Sequence, residues 1–468
     1  MKKYLGIVLV GAIAAFGVGC TDESSDSSGT GGNGTGATGG DGTGGTGTGG
    51  TGGVVDPGPC SDEDENAILI TDEEITADTT WDRADCDYVL TRIVYVVGAT
   101  LTIEPGVTVK GDIGSALIIA RGSQIIAEGT ADAPIVMTSS RAVGARNTGD
   151  WGGLALLGEA TINRGLGTCG GDTGTVCEDN LEGLPAQEGR AIFGGDDDAS
   201  SCGSLEYVRI EFAGNEIAPN NELNGLTLGG CGSGTNLDFI QVHRGLDDGV
   251  EFFGGTASIS HVIVDGMGDD GIDWDQGYTG TVSKFISHHY AGRTDDPRGI
   301  EADNFGTETS ITPRSAPTVE FGTVVANTGA SHDQGIVLRR GTWGNLTGIV
   351  VFNFDTNSGI DIRDDGWDGA DGGWPNELSV TMSCFDSNDP NFPVDDNDES
   401  TENPGTFFDE DVEIPGAGNL AEDPQMGNYA VAADGDTPDY SVGNSNCMGA
   451  FAEDGMDWTQ GWTAYPVN

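Results

Sequence analysis

The chain has 468 residues, with 76 acidic side chains against 19 basic ones and a formal net charge of −57. A surface of that sign repels nucleic acid and anionic lipid and argues against both as partners. No Gly-Lys-Ser/Thr follows its glycine-rich runs, so a nucleotide-phosphate loop is missing too, and what the charge suits is divalent cations, cationic partners or a saline environment.

The N-terminus reads "MKKYLGIVLVGAIAAFGVGC", with two lysines, an apolar stretch, small residues and then Cys20. That order predicts a secretory signal over residues 1–19 and acylation of Cys20, as in bacterial lipoproteins. Gly17 stands where such signals usually carry Leu, and an ordinary cleaved signal is the alternative. The stretch is too short to cross a bilayer and no later run is long and apolar enough. An acyl chain on Cys20 would then be the only hold on the membrane. The expected place is the cell envelope, at the outer membrane, facing either the surface or the periplasm.

Residues 20–58 are rich in Gly, Thr and Ser and predict a flexible tether. About 33 residues of Gly-rich coil hold their ends roughly 30 Å apart on average. Setting Cys20 aside leaves an even number of the nine cysteines. Their positions suggest local pairs, Cys60–Cys86, Cys169–Cys177, Cys202–Cys231 and Cys384–Cys447, out of about a hundred possible connectivities. No Cys-x-x-Cys and no histidine at zinc spacing accompany them, which points to an oxidising, extracytoplasmic compartment.

The body is assigned to residues 59–425, with an N-terminal cap at about 59–98, and residues 426–468 to a C-terminal cap. From Leu101 onward short apolar runs follow one another: "LTIEP", "GVTVKG", "ALIIARG", "SQIIAEG", "PIVMTSS", then "LEYVRIEFAG", "TNLDFIQVHRG" and "SISHVIVDG". Strand-length runs separated by brief Gly/Asn/Asp turns, with little helical periodicity, predict an all-β solenoid. In a parallel β-helix each turn of chain stacks about 4.8 Å from the next, and equivalent residues form columns.

Two phrases expose such columns, "LDDGVEFFGG" and "GDDGIDWDQG", whose glycines Gly249 and Gly271 stand 22 residues apart. Weaker copies follow at Gly299, Gly335 and Gly359. Alignment on that glycine puts Val250, Ile272, Ile300, Ile336 and Ile360 in one inward column. Phe252, Trp274, Ala302, Leu338 and Ile362 form a second, because strand side chains alternate. The outward columns are then Glu251, Asp273, Glu301, Val337 and Asp361, and Phe253, Asp275, Asp303, Arg339 and Arg363.

"LTIEPGVTVKGDIGSALIIARGSQIIAEGTADAPIVMTSS", "GDWGGLALLGEATIN", the two Asp-Asp-Gly phrases and the closing "GAFAEDGMDWTQGWT" together resemble secreted or lipid-anchored bacterial β-helix proteins of the pectin-lyase-like superfamily. The resemblance runs from about Ile68 to the C-terminus. It implies a right-handed parallel β-helix with loop excursions and capped ends. It leaves activity open, because that fold carries lyases, hydrolases and adhesins alike.

Carboxylates stacked one coil apart repel by roughly 3 kcal/mol per pair at about 5 Å and an effective dielectric near 20. Water, a neighbouring arginine or a bound cation must relieve this. A Ca²⁺ site is one reading, with Asp247, Asp248, Glu251, Asp269, Asp270, Asp273, Asp275, Glu301 and Asp303 as candidate ligands. The other is plain turn chemistry, in which Asp bonds its own backbone and Gly supplies positive φ, with Arg339 and Arg363 neutralising the acids beside them.

A catalytic version follows from the resemblance: acid-bound Ca²⁺ acidifies the proton beside a uronate carboxylate, and Arg339 or Arg340 near Asp303 takes it. Asp247 with Asp269 or Asp273 would be a carboxylate pair for glycoside hydrolysis. The Gly-His-Gly and Arg-x-Lys of superfamily glycosidases are missing. His243, His261, His288, His289 and His332 form no nucleophilic constellation, and no Gly-x-Ser-x-Gly is present. Of the tryptophans, Trp274 is expected inside the helix and Trp458 and Trp462 in a cap, with sugar stacking as the alternative. The overall expectation is an envelope module binding glycan, a surface protein or calcium, with a calcium-dependent polysaccharide lyase or glycoside hydrolase as the alternative.

Overall fold

The computed structural model describes residues 67–468 except for 165–168, 170–174, 183, 185–188, 219–220, 292–296, 307–308, 329–333, 356–357, 364–376, 393–413, 431–436 and 454. The signal, Cys20, the tether, Cys60, His332, Trp367 and Trp374 lie outside the described residues. Contacts place all described residues in one unit, Val54–Asn468.

The chain is a right-handed parallel β-helix built on two long sheets, one of 16 strands and one of 10. Each coil crosses the narrow sheet once and then the broad one. The long strands of the broad sheet, such as Asn236–His243, Ser258–Asp265 and Thr281–His289, pair in parallel through two segments. Between the segments sits one residue in the left-handed region: Tyr207, Phe239, His261, Lys284 and Phe321, with φ of 49°, 51°, 48°, 52° and 56°. That residue turns the chain through the corner of the coil. The aromatic ones stack, Tyr207 on Phe239 at 4.4 Å and Phe239 on His261 at 4.3 Å between ring centroids, which offsets part of the cost of a bulky side chain at positive φ.

The narrow sheet carries the repeated phrase in the predicted register. Val250 pairs with Ile272, Ile272 with Ile300, Ile300 with Ile336 and Ile336 with Ile360. The inward columns are fully buried, and Phe252 and Trp274 are among the largest enclosed side chains. Each buried aliphatic of this size contributes about 1.5–3 kcal/mol, so the columns are the main source of cohesion between coils.

The repeated glycine has a different reason from the one its sequence suggests. Gly249 and Gly271 are outside the left-handed region. A Cβ at Gly249 would meet Val264 Cγ1 at 2.0 Å, and one at Gly271 would meet Ser287 Oγ at 2.1 Å. The narrow sheet turns so close to the broad one there that no side chain fits.

Disulfides Cys169–Cys177, Cys202–Cys231 and Cys384–Cys447 have the expected partners. Cys86 is disulfide-bonded, and its expected partner Cys60 is outside the description. The far end of the coil stack is covered by Ile414–Leu420, with the Leu420 carbonyl accepting from Phe385 N–H and Asn419 bonding the Val380 carbonyl. Trp458 and Trp462 are buried as expected, but against the flank of the broad sheet, with Ile263, Ile286 and Val325. The segment assigned to a C-terminal cap therefore runs back along the outside of the coils, where an apolar stripe waits for it.

Candidate functional site

The outward column of the narrow sheet reads Tyr95, Ile118, Ala155, Thr227, Glu251, Asp273, Glu301, Val337 and Asp361 in successive coils. Its first members are apolar, and the excursion between Ala160 and Phe193 covers them. Ile162, Leu181, Leu184 and Phe193 pack with Ile118, Ala155 and Phe253 in a second buried cluster. The same excursion reaches the acids. The Gln276 amide donates to Asp179 Oδ2 at 2.9 Å, and Asn163 donates to Asn304 Oδ1 at 2.8 Å. The acidic ladder is therefore enclosed rather than solvated: Asp248, Glu251, Asp270, Glu301 and Asp303 are 7, 7, 2, 8 and 4 % exposed. Asp247, Asp269, Asp273 and Asp275 are half-buried.

The residue before each repeated glycine forms its own ladder. Asn224 Oδ1 accepts the N–H of Asp248 at 3.3 Å, Asp248 Oδ1 that of Asp270 at 2.9 Å, and Asp270 Oδ1 that of Arg298 at 2.6 Å. One oxygen of Asp248 and of Asp270 is thus used to tie coil to coil. Arg298 was missed in the sequence, although alignment on Gly299 places it in this column.

At the C-terminal half of the ladder the chain brings its own counter-charges. Arg298 Nη1 lies 2.9 Å from Glu301 Oε1 and 3.7 Å from Asp270 Oδ2. Arg339 donates through Nε to Asp303 Oδ1 at 2.9 Å and through Nη2 to Glu301, and Arg340 donates to Asp303 Oδ2 at 2.6 Å. Arg363 lies 3.1 Å from Asp361. Burial works to lower the Arg339 guanidinium, but Asp303 and Glu301 outweigh it and raise it further above its ordinary value. An arginine so held is a poor proton acceptor.

The N-terminal half is different. Three groups of carboxylate oxygens lie within 4.8 Å of one another: Asp247, Asp248 and Asp269; Asp248, Glu251 and Asp273; Asp270, Asp273 and Glu301. Burial, and then neighbouring acids, push Asp248, Glu251 and Asp273 well above the usual carboxylate range. Asp275 is pushed up to about 7, first by burial and also by Asp303. Asn224 donates to Glu251, and the Thr227 hydroxyl, one rung below Glu251, is buried with no hydrogen-bond partner. Asp273 Oδ1 is likewise buried and unpartnered. Two acids and a half-buried third converge here, with the Thr227 hydroxyl one rung away in the same column, a donor set that fits a hard divalent ion.

Of the sequence candidates, Asp247, Asp248, Glu251, Asp269, Asp270, Asp273 and Glu301 come together in these groups, Asp303 sits with the arginines, and Asp275 bonds the N–H of Gln276. A groove of about 730 Å³ opens on the broad sheet, between Lys110, Arg209 and Tyr465.

The pectate-lyase like beta helix domain family matches residues 73–463. No curated protein and no solved structure matches the chain.

Proposed function

The chain belongs to the family of pectate-lyase-like β-helix domains, and we propose that it serves as a calcium-loaded binding module of the cell envelope, carried on a lipid anchor at Cys20. The observation that carries this reading is the group formed by Asp248, Glu251 and Asp273, enclosed by the covering excursion and surrounded by further acids. A cation there would draw on these three carboxylates and the Thr227 hydroxyl, and would supply the positive charge that the chain supplies elsewhere by arginine. Its role is to fix the coils and the covering excursion as a rigid surface for a glycan or an envelope protein.

Family membership favours one competing reading, a calcium-dependent lyase or a glycoside hydrolase. Two facts weigh against it. Arg339 and Arg340 are bound to Glu301 and Asp303, and the excursion covers the acids.

Calorimetric titration of calcium into the chelator-stripped protein tests the proposal, with Asp273→Asn alongside. Saturable binding in the wild type, weakened at least tenfold in the variant, is expected. No heat of binding at millimolar calcium would end the calcium reading. Release of unsaturated products from uronate polysaccharides, or of new reducing ends from neutral ones, would end the non-enzymatic one.

A further inference from the structure

The outer face of the broad sheet holds a second enclosed pair of ionisable groups, four residues before Asp247 and Asp269 in the chain. His243 and Asp265 occupy paired positions of adjacent coils, and both are 0 % exposed. His243 Nδ1 lies 2.5 Å from Asp265 Oδ2, and its Nε2 lies 2.7 Å from the carbonyl oxygen of Pro466. Gln241, two residues earlier, donates to Asp265 Oδ1 at 3.0 Å and to the Ala464 carbonyl at 2.9 Å, and accepts from the Ala464 N–H at 2.9 Å. The Tyr290 hydroxyl donates to Asp265 Oδ2. His243 and Gln241 thus grip the last turn of the returning segment from below.

Counting donors fixes the number of protons. A carbonyl only accepts, so Nε2 must carry a hydrogen. An ionised carboxylate also only accepts, so either Nδ1 carries a second hydrogen or Asp265 is itself protonated. Both arrangements hold one proton more than a neutral imidazole beside a carboxylate. Once that proton leaves, the ring has a single N–H for two acceptors. Either a lone pair faces Asp265 or a lone pair faces Pro466.

We propose that the His243–Asp265 pair is a proton-dependent clasp, which holds residues 463–466 on the broad sheet and releases them as pH rises. The groups around it are accounted for. On the preceding coil Arg209 donates to the Trp462 carbonyl at 3.1 Å and, with Arg146, faces Glu211. On the following coil His288 is pushed down to about 4 by burial and stays neutral, bonded to Tyr440 and Asn327. Arg244 lies over the Tyr290 ring at 5.1 Å, and Tyr465 of the returning segment meets the edge of the His243 ring at 6.2 Å. Burial works to raise Asp265, but His243, Tyr290 and Gln241 hold it below the ordinary carboxylate range. The two hydrogen bonds of the ring coexist only while the pair holds that extra proton, which rising pH withdraws. The clasp is therefore complete at mildly acidic pH and weakens as pH rises. Opening it would uncover Ile263, Ile286 and Val325, now packed under Trp458 and Trp462.

The test uses the full chain labelled with ¹⁵N-histidine, followed from mildly acidic to alkaline pH. Below the transition the Nε2 of His243 should carry a proton and Nδ1 should share or carry one. Across it, amide exchange at Ala464 should accelerate about tenfold beyond that of a core amide such as Gly249, in the manner of a local opening. Asp265→Asn can turn its amide N–H toward a bare Nδ1 while Nε2–H stays on Pro466, so its Ala464 protection should no longer vary with pH. His243→Gln keeps a donor for Pro466 without a titrating ring and should hold protection that does not vary with pH. A His243 ring with bare Nε2 at mildly acidic pH, or wild-type protection of Ala464 that is flat with pH, would overturn the proposal. Both readouts stand even where Asp265→Asn does not fold.

Discussion

The two halves of the acidic ladder face the same electrostatic problem and meet it differently. Around Glu301 and Asp303 the chain provides Arg298, Arg339 and Arg340 at hydrogen-bond distance. Around Asp248, Glu251 and Asp273 the leading charged neighbours are further acids, and all three are pushed upward by burial and by one another. A buried carboxylate without a counter-charge takes up a proton or a cation, because a bare ion in a low-dielectric site costs far more than either. One half of the ladder therefore has its charge balance written into the chain. The other half draws it from solution.

Removing the built-in balance should have the largest effect. Arg339→Met leaves Glu301 and Asp303 short of a bidentate partner in an enclosed site, and breaking such a buried pair costs about 3–5 kcal/mol. Denaturant melts in the presence of chelator should show that loss. A variant as stable as the wild type would mean that the two halves are not different after all. Calcium should act on the other half. At a hundredfold over its dissociation constant it would stabilise the fold by about 2.7 kcal/mol, seen as a rise in melting temperature. Asp273→Asn should abolish most of that rise, while raising the stability of the chelated protein, because one buried acid is gone.

Much of this arrangement was legible in the sequence, and what was hidden has a physical reason. The phrase around Gly249 and Gly271 set the columns, since a period-two strand repeated coil by coil leaves no choice of which side chain faces in. Burial of the outward acids was hidden, because the excursion between Ala160 and Phe193 leaves the helix two coils before them and carries no periodic signal. The glycine column was read correctly in position and incorrectly in cause, since a close approach between sheets and a positive φ both select glycine. Arg298 stood in plain view before Gly299, but only the Asn224–Asp248–Asp270 ladder reveals why that position matters. The returning segment looked like an end cap because tryptophans near a C-terminus fit either place, and only the apolar stripe of Ile263, Ile286 and Val325 tells them apart.

The contrast between the halves also predicts a pH dependence that calcium should suppress. Asp275 is held up to about 7, and Asp248, Glu251 and Asp273 are raised as well. A carboxyl raised in the folded state binds a proton that the unfolded chain would release. Its contribution is fully present below the ordinary carboxylate range and fades as pH rises through the folded value. Chelated protein should accordingly lose stability between mildly acidic pH and about 7, and calcium-loaded protein should lose less. Melts at matched ionic strength, with and without calcium, measure the difference. Parallel curves would mean that protons and calcium do not share these acids.

The smallest effect is expected at the ladder's far end, and its smallness is informative. Arg363 is a quarter exposed and lies just past the strand that carries the buried Asp361, so water screens the pair from the arginine's side. Such pairs are worth about 0.2–1 kcal/mol, and Arg363→Gln should lower stability by no more than that. Asp361 also accepts the Gln334 amide at 3.1 Å, which remains in the variant. Combining Arg363→Gln with Arg339→Met then asks whether the arginine half is one network or a series of separate pairs. Additive losses, within about 0.5 kcal/mol, mean separate pairs. A double variant that loses much more than the sum would mean that charge balance is shared along the whole column, and a cation bound near Asp273 would then be felt as far away as Asp361.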